Sequence, residues 1–263
     1  MLGAIIGDIV GSPYEFSSDK EKDFELFSDD SRFTDDSLMT IAVGCACAEA
    51  GIEDEEGFKR LVINFMREIG RQYPEAGYGG MFYDWLFSDE DYSYGSFGNG
   101  SGMRVSPTAW AADNITDVRR LARWSAEVTH DHPEGIKGAE AIASAVFLAR
   151  TGKSKDEIRE YIEENFYTLD FTCDSIRPSY SFDVTCSGSV PHAIVCFLES
   201  TDFIDAIRNA VSLGGDGDTL AAMAGAIAEA FYGTDAETEE TALSYLDENI
   251  TEYYLSYSSV LYK

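Results

Sequence analysis

The sequence predicts an all-α fold: many helices packed into one compact domain over residues 1–263. Three observations carry this expectation. Apolar residues recur at helical spacing along nearly the whole chain. Several segments combine apolar residues with Ala and Gly, a composition that lets helix backbones approach closely. Alternating, strand-like patterns are scarce, and the best of them, "SYSFDVTCSG" at 179–188, is short and reads as an extended loop. A hydrophobic content of 44%, without a linker or composition shift, suits a chain that buries a sizeable core.

Taken in order, "MLGAIIGDIVGSPYEF" is apolar, lacks a basic leader and is interrupted by Asp8. It reads as a buried first helix, not a signal peptide. Small-residue helices are expected at about 35–50, 137–151, 188–199 and 218–232. Amphipathic helices are expected near 54–71, 115–126, 154–166, 202–212 and 236–246. In "TGKSKDEIREYIEEN" Ser154 can cap, Glu157 follows three residues later, and Ile158, Tyr161 and Ile162 form the apolar face. Tyr78, Phe82, Tyr83, Trp85 and Phe87 read as core packing. From Phe87 to Trp110 runs a long irregular region rich in Gly, Ser and aromatics, and a loop of that length inside a domain is more often functional than idle.

The charge balance narrows the function. Asp and Glu number 48 against 19 Lys and Arg, a formal charge of −29. Such a surface repels phosphate backbones, which argues against general nucleic-acid or anionic-membrane binding. No stretch approaches the apolar length of a membrane span. Five cysteines, an odd number without a C-x-x-C motif, indicate reduced thiols and a cytoplasmic protein. A phosphate-bearing ligand would need local positive charge, which a bound metal can supply.

Two acidic helix starts stand out. "FTDDSLMT" and "GGDGDTLAAMAG" each place aspartates and a threonine directly before a small-residue helix. Capping is the plain explanation for either one alone, since Asp and Thr are good N-caps. One cap needs one side chain, however, and together the two sites supply four carboxylates: Asp35, Asp36, Asp216 and Asp218. If both helices are buried, these groups converge, and uncompensated they would cost many kcal/mol. Two divalent cations would neutralise them, and an oxygen-only set selects Mg²⁺ or Mn²⁺ ahead of Ca²⁺ or zinc. The second segment does not have the spacing of an EF-hand loop or of an aspartyl-nucleophile phosphatase.

These motifs resemble the ADP-ribosylglycohydrolase family. The resemblance spans nearly the whole chain, through "GAIIGDIVGSPYEF", "FTDDSLMT", "GSFGNGSGMRVSP", "THDHPEGIKGAEAIASAVFLARTGKS", "FDVTCSGSVPHAIVCFLES" and "AIRNAVSLGGDGDTLAAMAGAIAEAFYG". It implies an all-α fold with a dinuclear metal centre, and a metal-dependent hydrolase that releases ADP-ribose from a modified protein side chain or small-molecule conjugate. By position, Thr34, Asp35, Asp36, Asp216, Asp218 and Thr219 match the family's metal ligands. Glu15 matches a catalytic or ribose-positioning glutamate, so Glu15, Asp35 and Asp36 are the expected catalytic groups. Gly95, Ser96, Phe97 and Asn99 match the loop that holds ADP-ribose, with the aromatic on adenine, and His130 matches a histidine near the phosphates.

Two positions depart from the family pattern: Ser37 stands where Thr is common, and Gly217 where Ser or Thr is common. Several residues have plainer readings. Glu15 could pair with a base, Asn99 could be a left-handed turn residue between two glycines, and Phe97 could merely anchor its loop. His132 and His192 read as structural, and Cys186 and Ser187 lack a base that would make a nucleophile. The competing functional class is a non-catalytic ADP-ribose-binding or crystallin-like descendant, against which the intact aspartates argue.

Overall fold

The computed structural model describes residues 1–17 and 20–261, and among these it contains helices and no strand. The chain runs α1 (Leu2–Gly11), α2 (Asp35–Glu49), α3 (Glu55–Gly70), α4 (Gly80–Phe87) and α5 (Gly100–Met103). It continues through α6 (Ile115–Glu127), α7 (Pro133–Arg150), α8 (Lys155–Asn165), α9 (Cys173–Ile176) and α10 (Cys186–Leu198). It closes with α11 (Phe203–Val211), α12 (Gly217–Tyr232), α13 (Ala236–Leu243) and α14 (Glu248–Leu261). The small-residue segments became α2, α7, α10 and α12, and the amphipathic ones α3, α6, α8, α11 and α13.

Side-chain caps set most of the helix starts. Asp54 accepts from Gly57 N at 3.0 Å, Asp202 from Asp205 N at 2.8 Å, and Ser154 forms the expected capping box with Glu157. Thr185 starts α10 two residues earlier than its apolar pattern suggested, by accepting from Gly188 N at 3.0 Å. The stretch before it, from 179, is the extended loop expected there. It touches the irregular region through a single antiparallel bridge, Gly98 to Thr185, flanked by Asn99 N to Val184 O at 2.7 Å and Cys186 N to Phe97 O at 2.9 Å. Those bonds fix the 96–99 segment to the start of α10.

Four helices were not expected: the four-residue α5, inside the stretch read as irregular, the four-residue α9, and the longer α4 and α14. In α14, Ile250, Tyr254 and Tyr257 lie on one buried face against α2, but the Ser and Tyr between them blur the pattern. In α4, helical geometry buries Trp85 and Leu86 and turns Tyr83 and Phe87 outward, so the assignment of all five aromatics to the core holds for Trp85 and partly for Tyr78 and Phe82, and fails for the other two.

At the centre α1 crosses α12, and every residue of α1 is buried. Glycines at i, i+4 and i+8 make the approach possible. A Cβ on Gly3 would lie 2.3 Å from Gly225 O, one on Gly7 2.1 Å from Ala221 O, and one on Gly11 2.4 Å from Asp218 Cα. The neighbours are backbone, so they cannot yield as a side chain would.

Gly7→Ala should therefore destabilise the fold by about 3 kcal/mol, the upper part of the overpacking range. Gly51→Ala, whose Cβ meets nothing within 4 Å, should change stability by less than about 0.5 kcal/mol. Urea unfolding of both proteins checks this, and equal effects would defeat the packing account.

Candidate active site

The crossing of α1 and α12 puts Asp8 in the interior. Its carboxylate accepts from Thr34 N at 2.8 Å, Thr34 Oγ1 at 2.6 Å, Ser37 N at 3.0 Å and Ser37 Oγ. Burial raises the Asp8 pKa, and these four donors oppose the rise without cancelling it. Asp36 and Asp218 stand beside it, and one oxygen from each of the three carboxylates lies within 4.8 Å of the others. Asp36 Oδ2 accepts from Thr219 Oγ1 at 3.1 Å, while the buried Asp36 Oδ1 has no hydrogen-bond partner. Burial first, then Asp218 and Asp8, hold Asp36 well above the ordinary carboxylate range; burial, then Asp216 and Asp8, do the same to Asp218.

An unsatisfied buried carboxylate oxygen among like charges is the environment that a cation relieves. Three buried carboxylates with oxygen donors fit a hard divalent ion. Capping does not account for them. Thr34 caps α2 by accepting from Asp36 N at 3.3 Å, which leaves Asp35 and Asp36 without that duty. Asp216 occupies the N-cap position of α12 yet makes no side-chain cap bond, and its Oδ2 takes Asn99 Nδ2 at 2.6 Å.

A cavity of about 640 Å³ opens over this cluster. Its lining includes Glu15, Asp35, Asp36, Asp216, Asp218 and Thr219 together with Ser96, Phe97, Asn99 and His130. Thr34 and Gly95 are not part of that lining. The Thr34 hydroxyl donates its proton to Asp8 and accepts from Asp36 N, which leaves one oxygen lone pair, and Gly95 shapes the turn with φ +66° while its N–H bonds Asp131 Oδ1 at 2.7 Å. Asn99 has a right-handed backbone at φ −69°, so the left-handed turn reading is set aside; its amide also donates to Ser189 Oγ at 3.1 Å. Burial and the charge of Asp216 raise the Glu15 pKa against the pull of Arg32. Asp35 is raised further, by burial, Asp8 and Asp216. His130 is buried and held neutral by desolvation and by Arg104. Phe97 is 50% exposed, with its ring edge-on to His132 at 5.5 Å.

Sequence reasoning missed Asp8, Phe16, Phe182 and Arg104. For Asp8 the signal was present: a lone charge in a ten-residue apolar helix. Phe16 carries the one positive φ found outside glycine among the described residues, +64°, and its ring meets Phe182 at 4.8 Å on the cavity rim. Its N–H bonds Gly215 O at 2.9 Å, which ties the segment after Glu15 to the turn before Asp216.

The raised carboxylates give a pH dependence of known sign. A carboxyl whose folded pKa exceeds its unfolded value stabilises the fold below the unfolded value, 3.8 for Asp, and loses that contribution as pH rises through the folded pKa. Chelated protein should therefore melt at progressively lower temperature from about pH 4 towards neutrality. Asp36→Asn removes one such group and should flatten the decline. Thermal melts across that range in EDTA check this, and identical slopes for the two proteins would contradict it.

Comparison with known proteins identifies the family and the fold. A family profile described as ADP-ribosylglycohydrolase matches residues 1–253. The chain is 29% identical to human ADP-ribosylhydrolase ARH3, covering 91% of this chain and 86% of that protein. It is 25% identical to the Pseudomonas putida ADP-ribosylarginine hydrolase Tri1 (91% and 71% covered). It is also 25% identical to the Rhodospirillum rubrum ADP-ribosyl-[dinitrogen reductase] glycohydrolase (89% and 84% covered). A solved structure described as an ADP-ribosylglycohydrolase-related protein complex shares the fold with a TM-score of 0.67 at 22% identity, over 93% of this chain and 95% of that one. The chain belongs to the ADP-ribosylglycohydrolase family.

Proposed function

We propose that this protein is a metal-dependent hydrolase that cleaves the glycosidic bond between ADP-ribose and a modified acceptor, a protein side chain or a small-molecule conjugate. The observation that carries the reading is the buried Asp8–Asp36–Asp218 cluster under a cavity also lined by the glycine-rich 96–100 segment. The relatives named above are hydrolases of ADP-ribosyl conjugates, which supports the same substrate class here. The whole chain, 1–263, serves as one catalytic unit. Its five free, buried cysteines support a reducing, cytoplasmic setting, and none of the described helices is long and apolar enough to cross a membrane.

Two Mg²⁺ ions per chain, or Mn²⁺ in their place, would be held by Asp35, Asp36, Asp216 and Asp218 with the hydroxyls of Thr34 and Thr219. Asp8 accepts from Thr34 and Ser37, so it orients that end of α2 and adds its charge to the set. Bound ions supply Lewis-acid polarisation and neutralise the carboxylates. The remaining work falls to the chain's own groups. Asn99 holds Asp216 through its amide. Glu15, half-buried and with a raised pKa, accepts a proton from the attacking water or positions the ribose. Phe97 offers its exposed face to adenine, Ser96 and the 98–100 backbone meet ribose and diphosphate, and neutral His130 contributes a hydrogen bond without a charge. Cleavage passes through an oxocarbenium-like transition state, as in glycoside hydrolysis generally.

Three experiments test this. Elemental analysis of purified protein should find about two divalent ions per chain, one for each acidic pair. A panel of ADP-ribosylated arginine, serine and O-acetyl conjugates should release free ADP-ribose with Mg²⁺ or Mn²⁺ and none in EDTA. Full turnover in metal-free protein would overturn the metal-dependent reading, and ADP-ribose binding without turnover on any conjugate would favour the non-catalytic class. Glu15→Gln should lower kcat by about 10²–10⁴ while both ions and ADP-ribose affinity are retained. Near-normal kcat in the folded variant would remove Glu15 from the chemistry.

A further inference from the structure

Arg104 is a buried cation without a carboxylate partner among the described residues. It is 1% exposed, lines the same cavity, and lies over the Phe82 ring at 5.9 Å. Its Nη2 donates to Ser125 O at 3.0 Å and to Thr129 Oγ1 at 2.8 Å, and its Nε has no hydrogen-bond partner. Thr129 is fully buried, and its Oγ1 lies 2.7 Å from His130 Nδ1.

The proton inventory of this chain settles its direction. A guanidinium donates and cannot accept, so Thr129 Oγ1 accepts from Arg104. Among the described hydrogen bonds, the acceptor within reach of the Thr129 proton is His130 Nδ1, and a buried hydroxyl proton left without an acceptor would be costly. A neutral imidazole that accepts at Nδ1 carries its proton on Nε2. The Nε2 edge faces the glycine-rich loop: a Cβ built on Gly100 would lie 3.1 Å from Nε2, and one on Gly98 3.5 Å. Both glycines line the cavity.

We infer that Arg104 and Thr129 are positioning residues that lock His130 in the Nε2–H tautomer, so that the ring donates a hydrogen bond from Nε2 to a phosphate or ribose oxygen of the bound ligand. This rests on the ADP-ribose reading given above. Burial and the nearby guanidinium keep the ring neutral, so the donor is present without depending on protonation. Arg104 itself stays charged, since burial lowers its pKa only to about 10.

The chain has three histidines, so ¹⁵N-histidine labelling with long-range proton–nitrogen correlation resolves each ring. In wild-type protein without ligand, His130 should show the Nε2–H pattern, and ADP-ribose should shift its Nε2 signal. Thr129→Val keeps the shape and removes the hydroxyl. It should abolish the pure Nε2–H pattern and weaken ADP-ribose binding about tenfold by calorimetry, as expected for one hydrogen bond to a charged group. Thr129→Ser should restore both. A wild-type Nδ1–H pattern overturns the proposal whatever the affinity. Thr129→Val with altered tautomer and wild-type affinity also overturns it, and leaves the hydrolase reading standing. Failure of wild-type protein to bind ADP-ribose would bring down the hydrolase reading and this role with it, while the tautomer pattern is read independently.

Discussion

The site depends on how closely α1 lies against α12. Gly3, Gly7 and Gly11 present no side chain at the crossing, so two backbones meet where a single methyl group would collide with a carbonyl. That approach fixes Asp8 opposite the start of α12. From there its carboxylate organises the entry to α2, with two backbone N–H groups and two hydroxyls converging on it. An acid in the middle of a wholly buried helix is tolerated because those donors surround it. The helix start that receives it is consequently rigid, and Asp36 inherits a defined position.

Electrostatics explains why these groups remain incomplete without a cation. Two carboxylates about 4 Å apart repel by about 4 kcal/mol at an effective dielectric near 20. Elsewhere in the molecule buried acid is matched by base: Glu140 takes Arg119 at 2.8 Å and Arg123 at 2.7 Å. Asp8, Asp36 and Asp218 have no such partner, and hydroxyls and amides are all that the described chain offers them. Arg104, the cation that does reach the cavity, is engaged by Ser125 and Thr129 on the side of His130. Acid and base are thus kept apart within one cavity, which suits a ligand that carries both hydroxyls and a diphosphate.

Much of this was legible in the sequence, for identifiable reasons. The main helices declared themselves by apolar spacing and by caps such as Ser154 and Asp54, because these signals are local. The acidic pairs were legible because four carboxylates exceed what two caps need, and Asp216 indeed leaves the cap bond unmade. Asp8 was visible only as an interruption. Its meaning depends on Thr34, Ser37 and Asp218, all distant in sequence. Helix α14 was lost because Tyr254 and Tyr257 are read as amphipathic residues, although Gly44 of α2 makes room for the Tyr257 ring. The Arg104–Thr129–His130 chain was beyond periodicity altogether, since no spacing announces which side of a hydroxyl a guanidinium will take.

The acid cluster is also assembled from distant parts of the polypeptide. The bond from Thr219 to Asp36 closes a separation of 183 residues. Loop closure on that scale comes late, after local helices have formed and their contacts have offset the lost entropy. A growing chain that has completed α1 and α2 already holds Asp8 and Asp36, yet it has no Asp218 until α12 has left the ribosome. Tight ion capture is thereby postponed to the final docking of α12, and a partly folded chain presents only half a chelator.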